Sequence, residues 1–400
     1  MLRSLIRRVV KRRHFWREAG FDELTELYIS MSLRSVAIGS INVFVPVYLH
    51  GLGYSIMEIL TAYAYFATAQ ALATFVSARI VALVGPKHTI ILSYAVQLVS
   101  MLLFLTQPTH RWPLVVLGAA WGIASSLFIV AYHVDFSKVK HPDHCGKEVG
   151  YMQIMQKVGL TIGPLLGGVV ATLCGARYTF MVAAILLLLG MLPLLQTAEP
   201  VRLHQRLKLR SFRVDGLLRG YISYAAFATE DMLTKSLWPL LVGVFVLTGG
   251  VYLKLGLLSA ASIIVSIGVT YAVGKLVDRT QGRLLLRFSA ILNAMLHILR
   301  PLVNNFAQII GVNVVGDALR VGITLPYTKG VYATADDLSS RRIVYVASME
   351  FFGNTARATV AWLLVLAGGL MSDYAIVATG FVLAGILSLI VTQERYRGIS

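Results

Sequence analysis

Acidic residues are scarce in this chain. It carries 19 Asp and Glu against 36 Lys and Arg in 400 residues, and charged residues make up only 14%. A soluble domain uses roughly 25%, so a surface built wholly for water is excluded. Cysteine is nearly absent: Cys145 and Cys174 are the two. That is too few for a disulfide framework or a thiolate metal site, and no metal or cofactor is expected. The phosphate-cradling G-x-x-x-x-G-K-[ST] loop is missing, which argues against ATP drive. Long polar stretches are missing too, leaving no room for a separate soluble domain.

What the chain has instead is apolar length. Hydrophobic residues make up 57%, gathered into runs near the roughly 20 residues needed to cross a hydrocarbon core. The runs lie at 27–49, 56–83, 88–107, 112–135, 149–173, 178–197, 218–246, 250–277, 283–303, 306–332, 341–369 and 372–393. They predict an all-α polytopic membrane protein of twelve transmembrane helices. The net charge of +17 is an orientation signal and not a nucleic-acid footprint. Only Arg111, Arg177, Lys254 and Arg300 fall in the connections on one side, while most other bases gather on the opposite side. The positive-inside rule then puts both termini in the cytoplasm of a cell membrane, with inner-leaflet lipid as a partner. Residues 1–20 do not form a cleaved signal, because arginines interrupt any apolar core. They read either as a short surface helix or as a basic tail.

The sequence is written twice. Val149-Gly150-Tyr151 through Gly159 aligns with Ile343-Val344-Tyr345 through Gly353, at one constant offset, and Pro46 pairs with Pro239 within one residue of it. Two pseudo-symmetric six-helix bundles follow, at 21–196 and 220–393, after a basic segment 1–20, joined by a basic linker 197–219 and followed by a tail 394–400. Paired halves of this kind rock about a shared central site.

Two local motifs sharpen this. Gly159, Gly163 and Gly167 recur every four residues, beside Pro164 and Gly168, so they form a groove on one helical face for a partner helix. Gly274-Lys-Leu-Val-Asp278-Arg279-Thr-Gln-Gly282-Arg283 joins the eighth and ninth spans. With twelve spans, inside termini and the 6+6 repeat, the chain resembles the major facilitator superfamily over nearly its whole length. The second motif is similar to the family's G-x-x-x-D-R-x-G-R loop with one extra residue. The first is similar to the G-x-x-x-G-P-x-x-G-G signature of its antiporter branch. The resemblance implies the twelve-helix fold, no enzymatic activity, and a latch of Asp278, Arg279 and Arg283, with Asp135 at the end of the fourth span. The first-half loop keeps Gly85 and Lys87 without the aspartate. The arginine that drug/proton antiporters carry early in the fourth span is absent, since Pro113 to Gly118 holds no charge.

Ionisable groups inside the spans are Arg34, Lys157, Lys235, Arg320 and Arg357 against Glu230, Asp231, Asp317 and Glu350. Each costs about 3 kcal/mol at mid-bilayer unless it is paired or hydrated, so they are expected to face one another around a cavity. Their spacing draws polar stripes: Asn313, Asp317 and Arg320 on the tenth span, Glu350, Asn354 and Arg357 on the eleventh, Asp231 and Lys235 before Trp238 on the seventh. Trp121, Ser125, Phe128 and Tyr132 form an aromatic stripe on the fourth, and Arg34 and Asn42 lie on the first. In the family it resembles, helices 1, 4, 7 and 10 line the cavity. Arg34, Asn42, Trp121, Ser125, Phe128, Tyr132, Trp238, Asn313, Arg320, Asn354 and Arg357 are therefore expected to touch substrate. Glu230, Asp231, Asp317 and Glu350 are the proton-coupling candidates. An intrahelical Asp317–Arg320 pair that only stiffens its helix competes with that role. His133 and His297 read as interface anchors near helix ends.

The expected function is a secondary active transporter of a small organic solute, coupled to protons, with efflux by antiport as one form, and working as a monomer. A nutrient symporter or facilitator is the alternative, with a non-transporting scramblase or sensor as a third.

Overall fold

A computed structural model describes residues 21–139, 145–196, 217–277, 282–338 and 342–396. The basic segment 1–20, most of the linker, Asp278 and Arg279 lie outside these residues. Twelve long helices carry the chain. They are α1 (Phe21–Asn42, resumed at Val45–Gly51), α2 (Ile56–Val84), α3 (Pro86–His110), α4 (Leu114–Val139), α5 (Cys145–Leu173) and α6 (Tyr178–Leu194). The second half has α7 (Leu218–Leu240), α8 (Val251–Val277), α9 (Gly282–Leu299), α10 (Phe306–Asp337), α11 (Arg342–Gly368) and α12 (Asp373–Val391).

The helix ends follow local chemistry. Ser55 opens α2 with a capping box: its hydroxyl accepts from the Glu58 amide at 3.2 Å, and the Glu58 carboxylate accepts from the Ser55 amide at 2.8 Å. Gly85, at φ +92°, turns the chain from α2 straight into α3, whose first residue is Pro86. The repeat-related prolines mark matching breaks. α1 is interrupted before Pro46, and α7 passes beyond Pro239 into a π-helical stretch, Leu241–Val246.

Nine of these helices are, among the described residues, long and apolar enough to cross a membrane. The other three are explicable. α6 has 17 residues, and α7 and α11 carry the buried charges of the site. Large apolar side chains cover the outside: Leu72 is 74% exposed and Leu366 71%. In water such a belt would be a liability, whereas in hydrocarbon it is the expected solvent-facing surface.

The pairing of helices repeats. In the first half α1 packs on α5 and α6, α4 on α2 and α3, and α3 on α6; in the second, α7 packs on α11 and α12, α10 on α8 and α9, and α9 on α12. The halves meet along two equivalent seams, α2 with α11 and α5 with α8. The glycine groove of α5 receives α1. A Cβ at Gly159 would meet the Ser35 Cβ at 2.7 Å, and one at Gly163 would meet the Val36 carbonyl at 2.7 Å. On an adjacent face, Gly168 approaches the backbone of α8 at Tyr252 and Gly256.

Candidate functional site

Several charges of the second half gather into one cluster on α7, α9 and α10. Glu230 on α7 is 3% exposed, and one of its oxygens lies 2.8 Å from His297 Nε2 of α9. The same oxygen accepts from Asn293 Nδ2 at 3.2 Å and Thr234 Oγ1 at 3.1 Å. The other oxygen faces Arg320 of α10 at 3.5 Å. Arg320 also bonds Asp231 directly, and Asp231 pairs with Lys235 at 2.9 Å. Burying a lone carboxylate costs several kcal/mol, and only this density of partners offsets it. Four helices contribute, because Asn293 also approaches Ser388 Oγ of α12 at 3.2 Å. A carboxylate shared by an imidazole and a guanidinium can hold or release a proton as those distances change.

The intrahelical pairing is not exclusive. Arg320 reaches across to α7 while its charge also acts on Asp317, which faces Ser262 of α8 and the charges of Arg300 and Lys157. His297 is fully buried against Glu230 and is not an interface anchor, although only two residues of α9 follow it. Arg300, placed by the sequence in an outer connection, is buried. Its guanidinium lies 5.3 Å from the Trp238 ring centroid and 5.8 Å from that of Phe381. Trp238 in turn donates to Asn313 Oδ1 at 2.6 Å, which joins two of the expected substrate contacts.

The first half offers a cationic and aromatic face. The Arg34 guanidinium sits 3.5 Å over the Phe128 ring, which stacks on Tyr132 at 5.5 Å. Gln156 of α5 donates to the Tyr132 hydroxyl at 3.1 Å. Ser125 is buried one turn away, and Asn42 keeps a buried oxygen with no partner among the described residues. Trp121 lies elsewhere: it packs among Phe104, Tyr63 and Phe66, between α2, α3 and α4. Asp135 is buried near the end of α4. Arg283, expected to clamp across its own loop, bonds Glu394 at 3.0 Å and the Tyr396 carbonyl at 2.9 Å.

A third group joins the halves. His133 of α4 bonds the Tyr332 hydroxyl of α10 at 3.0 Å, and its other ring nitrogen lies 4.0 Å from Glu350 of α11. Tyr224 of α7 donates to the same carboxylate. One helical turn along α11, Asn354 donates to Thr74 of α2 at 3.3 Å and accepts from Arg357 at 2.7 Å. Sequence spacing placed Glu350, Asn354 and Arg357 on one face. It contained no signal for Tyr224, Asn293 or Arg300, which enter only through helix packing.

Two matched six-helix halves, an apolar outer belt and charges buried at the helix junctions define a polytopic membrane solute transporter. The chain belongs to the major facilitator superfamily, whose model matches residues 27–328. Among solved structures it is similar to a POT family transporter in complex with a thioalcohol-conjugated peptide. That match has a TM-score of 0.72 and 11% identity, over 92% of this chain and 94% of that one. It is similar also to a mutant form of the nucleoside transporter NupG, with a TM-score of 0.65 and 11% identity over 93% of this chain and all of that one. At such identity these likenesses speak for the fold alone. No curated protein matches the sequence significantly.

Proposed function

We propose that this chain is a proton-coupled secondary transporter of a small organic solute, working as a monomer by rocking residues 21–196 against residues 220–393. The carrying observation is Glu230, held between His297 and Arg320 with Asp231 on the same guanidinium. Arg320 belongs to α10 and its two carboxylates to α7, so a relative shift of these helices changes how much positive charge faces each acid. A proton taken up when Arg320 withdraws and released when it returns couples the helix motion to a pH gradient. Asp317 and Glu350 are secondary candidates in this reading.

Arg34, Phe128 and Tyr132 would meet the solute from one half, and Trp238, Asn313 and Arg357 from the other. Both termini face the cytoplasm in this reading, as the distribution of bases favours, and Asp278 and Arg279 serve the latch. The glycine-rich α5 favours antiport. The uncharged start of α4 favours a symporter or facilitator as the second reading. Purified protein in sealed proteoliposomes, given an imposed pH gradient and chemically diverse solutes, tests the coupling. Glu230→Gln should abolish gradient-driven accumulation while solute exchange at equal pH persists. Accumulation that survives in both Glu230→Gln and Asp231→Asn would refute the assignment.

A further inference from the structure

The chain beyond α12 is pinned in place. Glu394, fully buried, accepts from Arg283 at 3.0 Å and from the Tyr396 amide at 2.9 Å. The Tyr396 hydroxyl donates to the Gly220 carbonyl of α7 at 3.1 Å. Burial pushes that phenol well above the usual tyrosine range, so it stays a neutral donor. With Glu394 and Tyr396 turned inward, Arg395 between them is left exposed.

Arg395 there joins Arg219 from the start of α7 and Arg287 from the second turn of α9 around a cavity of about 530 Å³, completed by Ile291, Thr392 and Gln393. Three arginines from three elements line it, with no acid among the described lining residues. The neighbouring carboxylate, Glu394, is already consumed inside the protein. No ion-pair partner for these three arginines exists among the described residues. All three are exposed, so water screens their repulsion in part, and a bound anion would relieve what remains. Ile291 in the cavity lining is 43% exposed, and Phe288, next to Arg287, and Ile222, one turn after Arg219, are exposed apolar side chains on the same two helices. A ligand there meets cations at one end and hydrocarbon at the other.

The geometry points to a binding site for a phosphate-bearing anion, presented as the headgroup of an anionic phospholipid, between the starts of α7 and α9 and the segment after α12. Guanidinium forks suit phosphate oxygens, while the acyl chains would lie along Phe288, Ile291 and Ile222. The site lies at the helix ends nearest the described C-terminus, away from the charged cluster around Glu230, and it does not depend on the coupling proposed there.

The test uses the full chain in nanodiscs of equal phosphatidylglycerol and phosphatidylcholine, with retained lipid read by native mass spectrometry. Phosphatidylglycerol should be retained in preference. Each of Arg219→Gln, Arg287→Gln and Arg395→Gln should weaken retention about fivefold, and the triple variant about a hundredfold. Arg79→Gln, which removes an exposed charge near the end of α2, should leave it unchanged. None of the three arginines makes a described internal bond, and the single variants carry the test if the triple fails to fold. Equal retention of both lipids, or wild-type retention in every variant, overturns the site. Displacement of the lipid by millimolar glycerol phosphate would assign the site to a free phosphate and overturn the lipid source.

Discussion

Gly163→Ala is the sharpest test of how the first half is built. The added methyl would sit 2.7 Å from the Val36 carbonyl oxygen and 2.8 and 2.9 Å from the backbone carbon and Cα of Gly39. All three atoms are backbone, so no side chain can swing aside, and α1 itself must retreat. A shift of about 0.7 Å restores ordinary contact at Gly163 but opens gaps at neighbouring points along the groove. A gap of 0.5–1 Å forfeits roughly a quarter to a half of the dispersion energy of the atoms it separates. Overpacking of this kind costs about 1–3 kcal/mol, which is about a 5- to 150-fold loss in the folded-to-unfolded ratio. Gly311→Ala is the matched control, because a Cβ there meets nothing within 4 Å. Removing glycine's backbone entropy should stabilise α10 by about 0.5–1 kcal/mol. Reversible unfolding in mixed detergent–SDS micelles measures both. If Gly163→Ala matched the wild type, or Gly311→Ala lost as much stability, the close approach of α1 to α5 would be wrong.

Other outcomes follow from the same contacts. Arg283→Ala should destabilise the protein more than Glu394→Ala in that unfolding assay. The first strands a fully buried carboxylate, at about 3–5 kcal/mol, whereas the second frees an arginine whose side chain is 34% exposed and can hydrate; equal losses would refute the asymmetry. Tyr332→Phe removes one bond between the halves, worth about 0.5–1.5 kcal/mol, and should shift the two access states about 2- to 12-fold toward opening at the His133 end. Spin-label distances between α4 and α10 read this shift, and an unchanged distance distribution would show that the contact does not hold the halves. Asn293→Leu should weaken gradient-driven transport more than equal-pH exchange, since it removes a donor from Glu230 together with contacts to His297 and Ser388; equal losses in both fluxes would point to a packing defect instead.

The helices were legible because hydrocarbon imposes length and apolarity, and the predicted runs fall within a few residues of α1 to α12. The charged spans α7 and α11 were read as apolar runs with the rest, and the repeat supports α11, since Tyr151 and Tyr345 keep equivalent places. The site was legible only within a helix. Asp231 and Lys235 stand four residues apart and meet, and Glu350, Asn354 and Arg357 share a face. Which helix answers a charge is decided by packing, and that is why the spacing on α10 could offer Arg320 a neighbour in Asp317 but not its bonds to Asp231 and Glu230 on α7. His297 illustrates the same gap: near a helix end in sequence, it points inward to Glu230 because α9 packs on α10 and α12. Arg300 and Trp121 show that a residue's height in the bilayer does not reveal which way it faces.

The two seams between the halves are alike in topology and unlike in texture. Along α5 and α8, Pro164, Gly168 and Gly256 bring bare main chain against main chain. Along α2 and α11, Tyr65 meets Trp362 edge-on at 5.2 Å and Phe75 meets Phe351 at 5.0 Å. A smooth bearing can turn without disengaging anything, whereas meshed rings must be lifted out and reseated. Any swing of one half on the other should therefore hinge about the glycine bearing and meet its resistance at the aromatic teeth, making the motion lopsided in a molecule whose architecture is nearly even.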